Sequence, residues 1–193
     1  VEVAQGLTHC NALFIKDANE VKGLALLPAL GKLRAQDAFV IWNHPGWRRD
    51  PQWYPDVAAA HREGLIQGME IVNGDETYPV TFSWVEEKKL TVFANSDVHG
   101  PMAPQAGNDK RPITLVFAAS GGLAGIREAL NAHRTAAWYH DDVWGAAPLL
   151  RGLWEGAVTT PPIQLNYSAG NGRSAIRFRN SSAIPFRVRV QHS

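Results

Sequence analysis

The sequence predicts an α/β fold: a parallel sheet or barrel wrapped by helices, followed by a small antiparallel β unit at the carboxyl end. Over the first two thirds of the chain, short apolar runs alternate with amphipathic stretches, the pattern of repeated strand–helix units. Those runs are rich in Val, Ile, Phe and Trp and mostly lack clean alternation, which suits strands buried on both faces and paired in parallel. After about residue 155 the pattern switches to polar–apolar alternation, the mark of a sheet with one wet face.

Taken in order, the strands are VEVA at the start, NALFI (11–15), AFVIW (38–42), MEIVN (69–73), LTVFA (90–94), ITLVFA (113–118) and TAAWY (135–139). Helices are expected over 18–35, 55–66, 78–89 and 121–133. Asp17 is placed to cap the first, and Leu123, Ile126 and Leu130 follow helical spacing in the last. Residues 140–157 read as a connection containing a helix at 147–154. Beyond it, IQLNY, AIRFR and PFRVRV are short strands, with AGNG and NSS as turns. The expected division is 1–155 for the α/β domain and 156–193 for the β unit.

Composition excludes several function classes. With 45% hydrophobic and 19% charged residues the chain is an ordinary globular protein rather than a disordered one. Nineteen basic against eighteen acidic side chains give no general attraction to nucleic acid or anionic membrane. No apolar run approaches the ~20 residues that span a bilayer, and a single cysteine, Cys10, rules out an internal disulfide framework. The sequence opens at Val1 rather than Met; the expectation is a processed or truncated piece of a soluble protein whose compartment is unread.

Chemistry is expected where an apolar strand gives way to a loop, because α/β sheets bind ligands beyond the carboxyl ends of their strands. AFVIW runs into Asn43-His44-Pro45. MEIVN carries Glu70 and ends in Asn73-Gly74-Asp75. LTVFA runs into Asn95-Ser96-Asp97-Val98-His99. VEVA carries Glu2, and His9 stands just before the next strand. In an extended segment Asp97 and His99 project to the same side. Carboxylates and imidazoles together are ligands for Zn, Mn or Fe in hydrolytic sites. Each residue also has a plain structural role open to it: a turn cap for Asp97, a backbone-bonded imidazole for His44, a salt bridge for Glu70. His61 and His133 read as helix-surface residues, His140 as a loop residue and His192 as a solvated tail residue. Trp47, Trp53 and Tyr54 read as rim packing or as a substrate pocket.

The succession VEV…THCNALFI, IWNHPGW, GMEIVNG, FANSDVHGP resembles the PHP family of polymerase and histidinol phosphatase domains, over roughly residues 1–140. The resemblance implies a distorted seven-stranded β/α barrel with two or three divalent metal ions, and hydrolysis of a small phosphate ester, a phosphodiester in the favoured reading. It implies metal ligation by Glu2, His9, His44, Asp97 and His99, with Glu70 as a weaker candidate and Arg111 as a phosphate-binding cation. The family's amino-terminal His-x-His is absent from this sequence. The expectation is therefore a truncated barrel whose partner is the missing segment or a second copy, and which alone is a weak catalyst. The alternatives are an amidohydrolase-type enzyme acting on an amide or lactone, and a non-catalytic binding remnant.

Overall fold

A computed structural model describes residues 1–100, 111–160, 165–166, 173–174 and 177–189. Two compact units divide the chain, Val1–Gly145 and Ala146–Ser193.

The first unit is built on a six-stranded mixed sheet. Strands β1 (Glu2–Gln5) and β2 (Thr8–Leu13) form a hairpin in the register Glu2↔Asn11 to Gln5↔Thr8. Its two-residue loop has Gly6 at φ 61°, a conformation that glycine adopts without steric cost. β2 pairs antiparallel with β3 (Phe39–Trp42), and β3 pairs in parallel with β4 (Gly68–Asn73). β4 then pairs with the short β5 (Glu76–Thr77) and, in parallel, with β6 (Thr91–Asn95). The expected parallel pairing thus holds for β3, β4 and β6, while β1 and β2 break it. The strands of the expected barrel do not close into one sheet. β7 (Ile113–Val116), β8 (Thr135–Tyr139) and β9 (Asp142–Gly145) form a separate antiparallel sheet beside β6.

The helices of this unit are shorter than the apolar periodicity suggests. The stretch 18–35 splits into a 3-10 turn, Ala18–Val21, and α1 (Leu26–Ala35). Gly23 lies between them at φ 74°. Asp17 does cap the first piece, accepting from the Asn19 N–H. α2 (Pro55–Arg62) stops at Glu63-Gly64, so Leu65 and Ile66 lead into β4 instead. α3 (Thr81–Lys88) starts after Pro79, and α4 (Gly122–Asn131) ends before His133, at φ 55°. α1, α2 and the sheet bury Leu26, Leu30, Leu33, Val40, Trp42, Val57 and Met69 in one core. At roughly 1.5–3 kcal/mol for each fully buried large apolar side chain, this core fixes β3 and β4, the strands whose ends carry the site.

The second unit contains α5 (Ala147–Ala157), β10 (Val158–Thr159), β11 (Leu165–Asn166), β12 (Arg173–Ser174) and β13 (Arg179–Asn180). Its strands pair antiparallel, β10 with β13 and β11 with β12. The side chain of Trp154 on α5 packs edge-on against Phe186 at 5.2 Å between ring centres. Most of IQLNY, the AGNG turn and His192 lie outside the described residues.

Candidate metal centre

Three strands bring the first ligand candidates together. Glu2 and His9 are diagonal neighbours across the β1–β2 hairpin, where side chains on one face reach each other. His9 Nδ1 lies 3.1 Å from Glu2 Oε1. On the other side of His9, its carbonyl accepts the Asn43 N–H at 2.9 Å, extending the β2–β3 ladder to the very end of β3. The next residue, His44, then packs its ring edge-on against His9 at 4.8 Å between centres. One donor atom from each of Glu2, His9 and His44 lies within 4.8 Å of the other two. His9 sits inside β2 rather than before it, and Glu2 starts its strand rather than ending it. Antiparallel pairing is what carries both to the carboxyl end of β3.

This donor set suits a divalent cation. His44 is 4% exposed, and its Nδ1 is buried without a hydrogen-bond partner among the described residues. A polar atom in that state is costly unless something else satisfies it. Burial lowers the His44 pKa, and the neighbouring His9 lowers it further, against a smaller opposing pull from Asp97. A neutral imidazole is the form that ligates metals. Asn43 Nδ2 approaches Glu2 Oε1 at 3.4 Å, and Trp47 leans on both imidazoles, 5.1 Å from His9 and 5.3 Å from His44.

Glu70 plays a different part. It is 1% exposed on β4, and three donors converge on its carboxylate: the His44 N–H at 2.6 Å, Asn73 Nδ2 at 2.8 Å and Asn95 Nδ2 at 2.7 Å. These donors come from the ends of β3, β4 and β6. Asn73 and Asn95 are register partners, and the ladder shifts by one residue between Glu70 and Val72, a bulge that re-aims side chains at a strand end. Burial pushes the Glu70 pKa up to about 7, although the three hydrogen bonds oppose it. The carboxylate is thus engaged in holding three loops, with less of it left to meet an ion.

Asp97, His99 and Arg111 lie beyond β6. A cavity of about 640 Å³ is lined by Glu2, Glu70, Asn95, Asp97, His99 and Thr114, among others. It brings four of the sequence candidates to one space, adjoining the Glu2–His9–His44 cluster through Glu2. The reason is not the one expected. Asp97 has φ 50°, so the segment is not extended, and residue spacing does not put Asp97 and His99 on one side. Instead the chain turns, and His99 Nδ1 falls 2.7 Å from the Asp97 carbonyl, with its ring largely exposed. Arg111 is half-buried just before Pro112, itself part of the cavity wall. His44, Arg48 and Asp97 all have positive φ, at 28°, 56° and 50°. Such backbone is disfavoured for side-chain-bearing residues and gathers at functional sites.

Sequence reasoning missed two residues. Asn43 and Asn95 carry no role in the sequence reading, yet both donate to site carboxylates; a polar side chain directly abutting an apolar strand was the available signal. Of the aromatic residues, Trp53 packs with Trp42 and Trp84, and Tyr54 with Trp42 and Arg49, away from the cluster; Trp47 alone of that set touches it. His61 is half-buried with Nε2 at 3.1 Å from the Lys88 carbonyl, and His133 Nδ1 meets Thr91 Oγ1 at 2.8 Å.

The chain is similar to a crystal structure of a two-domain protein from Bacteroides vulgatus that contains a predicted PHP-like metal-dependent phosphoesterase. Over the aligned length the two chains share one fold. The likeness has a TM-score of 0.82 at 32% sequence identity, and covers 95% of this chain and 55% of that one. This chain therefore spans about half the length of the protein it matches. No family model matches the sequence, and no curated protein matches it significantly. No helix among the described residues is long and apolar enough to cross a membrane.

Proposed function

We propose that this chain carries a PHP-like, metal-dependent site that hydrolyses phosphate esters, with phosphodiesters as the preferred class. The observation that carries the reading is the Glu2–His9–His44 cluster, whose three donor atoms lie within 4.8 Å of one another at the end of a buried strand. The similarity to the Bacteroides protein supports the same class of chemistry. Zn, Mn or Fe all accept such a mixed carboxylate–imidazole set. A divalent ion held there supplies Lewis-acid polarisation of a phosphoryl oxygen and lowers the pKa of water.

The chain's own residues do the rest. Glu2 offers negative charge and orients the His9 ring through Nδ1. His44, kept neutral by burial, offers a nitrogen lone pair without first losing a proton. Glu70 holds the loop of His44 by its backbone N–H and the loops of Asn73 and Asn95 by their side chains, so the mouth of the cavity keeps its shape. Asp97 and His99 face the same cavity, where they can take further metal coordination or a substrate proton. Trp47 shields the two imidazoles and limits water on that side.

The test is metal content by elemental analysis, followed by turnover of bis(p-nitrophenyl) phosphate, p-nitrophenyl phosphate and a p-nitroanilide amide with Zn or Mn. The reading expects bound metal that falls at least tenfold in His44→Ala, and phosphate-ester turnover that a chelator abolishes. Preferential cleavage of the amide, or ester turnover indifferent to chelation, would sink it.

A further inference from the structure

Two arginines follow the strand end that carries His44, and the structure treats them differently. Arg49 is anchored: Nη2 donates to the Leu7 carbonyl at 3.1 Å and to Thr8 Oγ1 at 3.0 Å, and the guanidinium lies 3.5 Å from the Tyr54 ring centre. It ties the β1–β2 hairpin to the loop after β3. Arg48 is exposed, and its guanidinium stands 4.5 Å from the centre of the Trp47 ring. Among the described residues no carboxylate or carbonyl takes its N–H groups. Trp47 in turn packs against His9 and His44. One indole therefore contacts both an uncommitted guanidinium and two of the candidate metal ligands.

Three physical points converge here. A cation–π contact restrains the guanidinium without using any of its five N–H donors in a hydrogen bond. Its planar fork matches the oxygens of a phosphate or carboxylate. Arg48 also adopts φ 56°, a left-handed backbone that is disfavoured for a residue with a side chain. We propose that Arg48, held by Trp47, is a specificity residue that binds a second anionic group of the substrate, such as a further phosphate, beyond the one bound by the Glu2–His9–His44 cluster. This rests on the phosphate-ester reading above and narrows it to substrates bearing two anionic groups. It also gives Trp47 a positioning role, since its ring is what Arg48 rests on.

The experiment measures binding rather than turnover. Zinc- or manganese-supplemented protein is titrated calorimetrically with inorganic pyrophosphate and, separately, with inorganic phosphate, for wild type, Arg48→Ala and Arg48→Lys. Metal content and melting temperature confirm that the variants are folded and loaded. The proposal expects Arg48→Ala to weaken pyrophosphate about tenfold and phosphate less than about threefold, with Arg48→Lys in between, as befits the loss of one charge-assisted contact. Unchanged pyrophosphate affinity, an equal loss for both anions, or no binding of pyrophosphate by wild type would overturn it. Arg48-dependent pyrophosphate binding in a protein that hydrolyses no ester would refute the hydrolase reading while leaving the anion subsite standing.

Discussion

At the scale of single residues, the candidate site contains groups placed to meet a ligand and groups that hold those groups still. Glu70 is the clearest of the second kind, and its titration gives a test. Its folded pKa of about 7 lies above the ordinary 4.5, so the folded state binds the proton more tightly than the unfolded one. The resulting stability is full below about 4.5 and is lost as pH rises through 7; the shift sets a ceiling of roughly 3 kcal/mol. In chelator-treated protein the melting temperature should fall between pH 5 and pH 8. In Glu70→Gln that slope should largely disappear, since an amide does not ionise and Asn95 can flip to accept from it. A second contrast concerns activity. Asp97→Ala should cut metal-dependent turnover by more than tenfold, whereas His133→Ala, on the far side of β6, should keep most of it. Comparable losses in steady-state assays of the two variants would mean that the wrong groups have been singled out. His44, Glu70 and Asp97 were legible in the sequence because each sits at or just after an apolar run. What one chain could not reveal is how they relate. The three-donor clasp on Glu70 depends on register between β4 and β6, and the turn at Asp97 depends on a left-handed residue that no spacing rule anticipates.

At the scale of elements, the apolar runs were readable and their pairing directions only in part. The apolar runs of β3, β4 and β6 look like parallel strands because both their faces are buried, and they pair in parallel. β2 carries an equally apolar segment after His9, yet it belongs to a hairpin with β1. The deciding signal is the two-residue Gly6-Leu7 loop, too short for a crossover. The helix ends went astray for a related reason: apolar periodicity runs past Gly23 and Gly64, but both have positive φ and stop the helix. β4 offers a test of how tightly these elements are fitted. A Cβ on Gly68 would lie 2.6 Å from the Phe93 ring and 3.1 Å from that of Phe39. Gly68→Ala should therefore cost about 1–3 kcal/mol, seen as a melting temperature several degrees lower with metal affinity little changed.

At the scale of the whole chain, every member of the Glu2–His9–His44 cluster and of the cavity beside it lies within Val1–Gly145. That unit also contains the three hydrophobic clusters found among the described residues. The fragment 1–145 should thus fold cooperatively and bind the same number of ions per chain as the full sequence, measured by thermal melting and elemental analysis. Ion binding should also stabilise either form: at a free metal concentration of 100 times Kd, linkage adds about 2.7 kcal/mol. A fragment that aggregates or binds no metal would show that Ala146–Ser193 contributes to the site.

The left-handed backbone at His44, Arg48 and Asp97 carries a kinetic consequence. Each non-glycine residue held in such a state costs on the order of 1–3 kcal/mol, which the packed strands beneath must offset. The loops after β3 and β6 therefore sit nearer to opening than the ladders they extend. In hydrogen–deuterium exchange of metal-free protein, amides of 44–49 and 96–99 should exchange well before those of β3 and β4, and an added ion should slow them most. Exchange at 44–49 and 96–99 no faster than in β3 and β4, with or without the ion, would show that the packed strands offset this cost in full.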